Sequence, residues 1–401
     1  MHRVHRTFLP VILLTIVGLT GCDATGPQRS DSEAVSSEGE TQTDGRGNGL
    51  NGPGNAANGP ATGAVFTMTN SPSGNAVVAF NRAANGRLSK LESYPTGGAG
   101  GSGVAPSSNP LAFGDEDQFL FVTNPGSDEL SVFSRRGRSL KRTDVVKTGG
   151  PRPLSVAVHG DLVYVLNAGR EASPNISGFT LEDGTLSPVG TAALPEDVKG
   201  PPQIGFGPNG QQLVVTDRPS DQIIVYPVQA SGQVGAPTVN DADDGSVPFG
   251  FDFTPQGTLL VSEAQGTENG SALSHFSVGT GGTLNTVVNS APTTQQAACW
   301  VEVTPDGEIA YVTNTASGTV TGFQVQSDGA LQRVTENGVT ADLGDESTPL
   351  DMTISGSVLY VHEKGDRAIT GFRINPQTGA LTETDGAAAG LPASTAGLAS
   401  F

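Results

Sequence analysis

Seven times along this chain a short apolar run ends on Asn, Asp or Glu, and no other feature restricts its fold as much. The runs are VFTMTN ending at Asn70, FLFVTN at Asn124, LVYVLN at Asn167, LVVTD at Asp217, LLVSE at Glu263, IAYVTN at Asn314 and VLYVHE at Glu363. Successive ends lie 54, 43, 50, 46, 51 and 49 residues apart. The stretch Trp300–Val334 shows what surrounds each one. Val301 and Val303 alternate with Glu302, and Pro305-Asp306-Gly307 turns the chain into Ile309–Val312. Thr319–Val325 follows, and Ser327-Asp328-Gly329 turns it into Leu331–Val334. Apolar runs separated by Gly, Asn, Asp and Pro read as four strands of one antiparallel sheet. The turns recur too. Pro208-Asn209-Gly210 and Pro255-Gln256-Gly257 precede second strands, and Asn85-Gly86, Asp183-Gly184, Gly281-Gly282 and Thr378-Gly379 precede fourth strands. Four strands per roughly 40–50 residues is the pattern of a propeller blade, so seven repeats predict an all-β, seven-bladed β-propeller of four-stranded antiparallel blades. Immunoglobulin-like sandwiches need about 100 residues per unit, twice this period.

The two ends of the repeat array fit each other. No strand-like segment before Val65 can serve as an inner strand for the first sheet, while Ala396–Phe401 is left over after the seventh repeat. That remainder resembles the inner strands at Leu111–Phe113 and Val156–Val158. The C-terminal strand is therefore expected to enter blade one, closing the ring and covering two edges that would otherwise pair with other chains.

Three segments are expected: a lipoprotein signal peptide over 1–22, a Gly/Asn/Ser-rich disordered tether over 23–63, and the propeller over 64–401. His2, Arg3, His5 and Arg6 form a basic head, and Phe8–Leu19 is an apolar run too short to span a bilayer comfortably. Leu19-Thr20-Gly21-Cys22 matches a bacterial lipobox, which makes Cys22 the lipidation site and the lipid anchor. The expected location is an exported, membrane-anchored lipoprotein on the periplasmic or outer side of a bacterial cell envelope. The tether has almost no large apolar residue to offset its ordering entropy. Two GxGxxG matches, at 47–52 and 98–103, lack the preceding strand and following helix that a dinucleotide site needs.

Charge excludes partners. Forty acidic residues against 21 basic ones give a formal charge of −19, which argues against nucleic acid and against direct contact with anionic headgroups. Such an excess suits solubility, a monomeric state and tolerance of high salt, where self-repulsion is screened. With Cys22 acylated, Cys299 has no disulfide partner and is expected to be buried beside Trp300.

Chemistry is sought where the blades converge. Asn at 70, 124, 167 and 314 reads as a repeated turn cap. Asp217, Glu263 and Glu363 stand at the same position as acids, with Arg218 and Arg170 as cations near the same rim, so Arg218, Arg170 and Glu363 are candidate ligand-binding residues. Along the inner strands one position reads Ala112, Ala157, Gly205, Asp252, Glu302, Thr353, Ala399. Small residues suit a crowded axis, and Asp252 and Glu302 break the rule. A carboxylate pair there needs a cation, a shared proton or hydrogen-bond donors, which makes the two residues candidate ligands for Ca²⁺ or Mg²⁺. Asp241, Asp243 and Asp244 lack the spacing of a calcium loop. His159, His275 and His362 show no metal-ligand spacing, and no GxSxG supports a serine hydrolase.

The phrases TPDGEIAYVTNTASGTVTGFQV and GPNGQQLVVTDRPSDQIIVYPV resemble the seven-bladed lactonase family of 6-phosphogluconolactonases and carboxymuconate lactonizing enzymes. The resemblance implies catalytic acids at Glu263 and Asp217. It also implies a Pro-His-x-His-like stretch where this chain has Gly200-Pro201-Pro202-Gln203-Ile204, an Asp-Arg pair where it has Asp221-Gln222, and a Pro-Arg-His-like element where it has Pro248-Phe249-Gly250. The acids are kept, and the His and Arg partners are absent. Two functions follow as expectations. One is an envelope-anchored binding or scaffold module for a small molecule or an envelope protein. The other is a divergent lactonase, a cyclic ester hydrolase or lyase, that uses Glu263 and Asp217 with a divalent cation.

Overall fold

The computed structural model describes residues 61–101, 107–114, 116–170, 172–243 and 245–401. The signal segment, Cys22 and most of the tether lie outside them. Seven antiparallel sheets are present. Blades two to seven each run in chain order from an inner strand outward, over Leu111–Lys147, Pro153–Ala193, Ile204–Asp241, Pro248–Pro292, Ala298–Asp342 and Pro349–Ala389. In blades six and seven the outer edge is two short pieces, because both Leu331–Arg333 and Ala341–Asp342 pair with the third strand of blade six, and Leu381–Glu383 and Ala388–Ala389 do the same in blade seven.

Blade one is assembled from both ends. Ala61–Met68, Ala76–Ala83 and Leu88–Pro95 supply its second, third and outer strands, and Ala396–Ser400 is the inner one. Its register sets Phe66 opposite Ala399 and Val65 opposite Ser400. The second strand starts at Ala61, inside the stretch read as tether. Thr67 Oγ1 donates to the Gly397 carbonyl at 2.7 Å, and Ser355 Oγ of blade seven donates to the Phe401 carbonyl at 2.8 Å. Phe66, Phe113 and Phe401 then cluster with centroids 5.4–5.9 Å apart, and Arg135 covers Phe401 at 4.0 Å. Closure therefore joins blades seven, one and two through polar and aromatic contacts together.

Each blade buries the central part of its second and third strands, for example Ile309–Asn314 and Thr319–Phe323, and leaves the outer strand largely exposed. Packing between blades uses a recurrent device. The fourth-strand turns place Gly86, Gly184, Gly282 and Gly379 at φ between 74° and 90°, where a side chain is strained. Three tyrosines reach these turns in the next blade. Tyr164 donates to the Gly232 carbonyl at 2.7 Å, Tyr311 to Gly379 at 2.9 Å and Tyr360 to Gly86 at 2.7 Å. The last of these spans the ring closure. Cys299 is fully buried on the inner strand of blade six, as expected.

Candidate functional site

The turn joining the second and third strands, and the link from one blade to the next, share one face of the disc. The residues ending the second strands stand there, and their partners explain the pattern of types. Asn124 Nδ2 donates to Ser131 Oγ at 2.8 Å, Asn167 Nδ2 to Ser177 Oγ at 3.1 Å and Asn314 Nδ2 to Thr321 Oγ1 at 2.9 Å. Each hydroxyl belongs to the third strand of the same blade. Glu263 occupies the same niche as an acceptor. Ser274 Oγ donates to it, and Ser290 Oγ lies 2.8 and 3.0 Å from its two oxygens. Burial raises its pKa and these hydroxyls oppose the rise. Glu363 is hydrogen-bonded to Thr370, while burial pushes its carboxyl up to about 7 and leaves Oε1 without a partner.

Asp217 is the exception because Ile224 stands where the other blades carry a hydroxyl. It turns toward the chain instead. One oxygen accepts the backbone N–H of Gly200 at 2.7 Å and of Lys199 at 3.2 Å, and the other accepts Ser220 Oγ at 2.6 Å and Ser220 N–H at 3.2 Å. Asp217 is fully buried and pins the segment that leads into the inner strand of blade four. Arg170 is equally committed. It pairs with Asp128 at 2.8 Å and donates to the Pro125 carbonyl, tying blade three to the rim of blade two. Arg218 lies 5.5 Å above the Phe249 ring, which meets Trp300 edge-on at 5.1 Å.

The inner strands carry a second set of acids. One oxygen of Asp252 accepts the N–H of Phe253 at 2.8 Å, and the other accepts Val303 of blade six at 2.8 Å. Glu302 accepts Ile354 of blade seven at 2.9 Å. Asp351, which the inner-strand alignment passed over, accepts Met352 at 2.9 Å and Leu398 of blade one at 3.2 Å. Neutral groups do the same work elsewhere. Gln203 accepts from Phe251 N–H and donates to its carbonyl, both at 2.8 Å, and Ser155 Oγ accepts Ile204 N–H at 3.2 Å. Five successive junctions, from blades three–four round to seven–one, are each held by a side chain that accepts the next inner strand's N–H.

Desolvation raises all three channel acids. Asp252 is pushed up to about 6 and Asp351 to about 7, each partly restrained by its backbone donors. Glu302 is raised well above its usual range by burial first and then by the neighbouring Asp252. Asp252 and Glu302, read from sequence as candidate cation ligands, therefore spend three of their four oxygens on backbone amides. Among the described residues no group of three or more His, Cys, Asp or Glu side chains is gathered to hold a metal ion. In the acidic loop Asp243 accepts Asn289 at 2.7 Å, and Asp244 lies outside the described residues.

The profile described as "Lactonase, 7-bladed beta-propeller" matches residues 45–197, 112–299 and 282–395. The chain belongs to the lactonase family of seven-bladed β-propellers. Among solved structures it is similar to a putative 6-phosphogluconolactonase from Bacteroides fragilis, at 20% identity and a TM-score of 0.62, over 85% of this chain and 99% of that one. It is similar to the periplasmic gluconolactonase PpgL of Pseudomonas aeruginosa, at 20% identity and a TM-score of 0.64, over 84% and 98%. A Lactobacillus plantarum protein gives 19% identity and a TM-score of 0.64, over 84% and 99%. No curated protein matches by sequence.

Within this lactonase-family propeller, the positions where the resemblance implies His and Arg are occupied by packing and stapling groups. Gln203 is consumed by Phe251, and Phe249 is buried against Trp300. Gly250 lies so close to the Cys299 carbonyl that a Cβ would stand 2.3 Å away. Sequence reading missed Gln203, Ser155 and Asp351 as a set. The signal was available only in part: Ser155, Gln203 and Asp351 share a position two residues before the aligned column, inside or beside the irregular start of the inner strand.

Proposed function

We propose that this lactonase-family propeller is an envelope-anchored lipoprotein that binds a ligand or partner protein and does not turn over lactones. The observation that carries this reading is the occupation of Asp217 and Glu263. Lactone opening requires a base that can reach a water or hydroxyl and a cation for the developing carboxylate. Every oxygen of both acids already meets a donor from the protein's own backbone or hydroxyls. Arg170 is neutralised by Asp128. The Cys22 lipobox supports the anchor, and no cation is proposed at Asp252 and Glu302.

A divergent lactonase is the second reading. The periplasmic gluconolactonase of Pseudomonas aeruginosa, an exported relative of the same fold, favours it, as does Arg218 at the rim beside Phe249. Purified protein with and without Ca²⁺, assayed against a panel that includes glucono-1,5-lactone, separates the two. No turnover above the uncatalysed rate is expected. Turnover that disappears in Glu263→Gln with unchanged melting would establish the second reading instead.

A further inference from the structure

The opposite face of the disc, which carries the turns between first and second and between third and fourth strands, holds a cleft of about 830 Å³ between blades five and six, reaching blade seven. Its charged lining is one-sided: Asp306, Glu308 and Asp328 contribute carboxylates, and no Lys or Arg takes part. Asp306 and Asp328 each use one oxygen to cap their own turns, through Glu308 N–H at 3.1 Å and Ala330 N–H at 3.0 Å. The Thr304 hydroxyl holds the Asp306 carboxyl below the usual range, so it stays ionised.

An independent observation concerns His275, which lines the cleft and is 2% exposed. Its Nδ1 lies 2.7 Å from the Gly329 carbonyl. A carbonyl only accepts, so Nδ1 carries the proton, and in the neutral ring Nε2 is left as an acceptor. That Nε2 is buried and has no partner. An orphaned buried acceptor costs free energy unless a donor arrives. Val287, 40% exposed, and Pro376 line the same cleft and offer apolar contact. The cleft thus combines three carboxylates, a buried imidazole nitrogen without a partner and a small apolar wall.

We propose that this cleft binds an organic cation carrying a primary ammonium group on an aliphatic chain. The ammonium supplies donors to the carboxylates and to His275 Nε2, and the methylenes lie on Val287 and Pro376. The site is on the face opposite Asp217, Glu263 and Arg218, so it stands whether or not lactones are turned over.

Spermidine is the probe, titrated into the full chain by calorimetry while NMR follows the His275 ring. Saturable binding that moves the His275 signals is expected, weakening on the order of tenfold between about 20 mM and about 500 mM NaCl as the carboxylates are screened. The pair Asp306→Asn and Asp328→Asn keeps the turn caps and should weaken binding about tenfold, since two of the three carboxylates are removed. Glu182→Gln with Asp183→Asn makes an equal charge change at an exposed turn of blade three and should leave affinity within about twofold, being well beyond screening distance. His275→Asn keeps a donor for Gly329 but removes the Nε2 acceptor, and should weaken binding several-fold. Equal weakening by the two double variants, binding of sorbitol as tight as that of spermidine, or titration without any His275 shift would each overturn the proposal.

Discussion

The two sides of the central channel perform one task with different chemistry. Around blades two to four the axis is lined by Ala112, Ala157 and Gly205, and the junctions there are held by Ser155 and Gln203. Around blades five to seven the same task, accepting an N–H from the next inner strand, falls to Asp252, Glu302 and Asp351. A neutral acceptor gives a modest, pH-independent contribution of about 1 kcal/mol per bond. A carboxylate makes a stronger charge-assisted bond but must be desolvated, and three of them in one channel repel one another. The raised pKa values of Asp252, Glu302 and Asp351 express that cost. One half of the ring is therefore indifferent to pH, and the other is not.

Removing Ala396–Phe401 should have the largest effect on this contrast. It takes away the strand that Asp351 holds and the aromatic contact with Phe66 and Phe113. It also exposes the inner edge of blade one. An aggregating or protease-sensitive protein is expected, and a monomer with unchanged melting would show that the acidic half closes without its last strand.

The pH dependence comes next. A carboxyl whose folded pKa is raised binds its proton more tightly folded than unfolded. The stability it contributes is present below the unfolded value near 4 and is lost as pH rises through the folded value. For Asp252 and Asp351 that window runs from about 4 to about 7. Urea unfolding should show stability falling across it by an amount on the order of a few kcal/mol. Asp351→Asn, which does not titrate, should visibly flatten the slope. An identical slope in the variant would mean that Asp351 is not among the groups responsible.

The neutral half gives smaller and flat effects. Gln203→Ala orphans both the N–H and the carbonyl of Phe251 and should cost about 2 kcal/mol at any pH from 5 to 8. Ser155→Ala removes one long bond and should cost about 1 kcal/mol or less. A loss in Gln203→Ala that varies with pH as the acidic half does would erase the distinction between the two sides.

How much of this was legible beforehand differs by residue. Asn124, Asn167 and Asn314 read as turn caps, and the structure gives them a local role of another kind, to a third-strand hydroxyl within about one hairpin. Glu263 and Glu363 looked like departures from that role, yet Ser274 and Thr370 receive them in the same niche. An acceptor facing a hydroxyl serves as well as an amide there. Asp252 and Glu302 were correctly noticed as acids on inner strands. A cation, a shared proton or hydrogen-bond donors could each compensate such a pair, and the donors present include Val303 and Ile354, about 50 residues further along. Asp351 stands two residues before the aligned column, at the position of Ser155 and Gln203, where a column read for small residues does not look.

The sequence by itself determined the number of blades, their strand order and the return of the C-terminal strand to the first sheet. Those depend on alternation, turn residues and a repeat length, all of which can be read along the chain without knowing which side chains meet between blades. Only the tertiary structure decided what each carboxylate does. An oxygen takes whichever donor stands within about 3 Å of it, and around a closed ring that donor belongs to a neighbouring blade whose register no local pattern specifies.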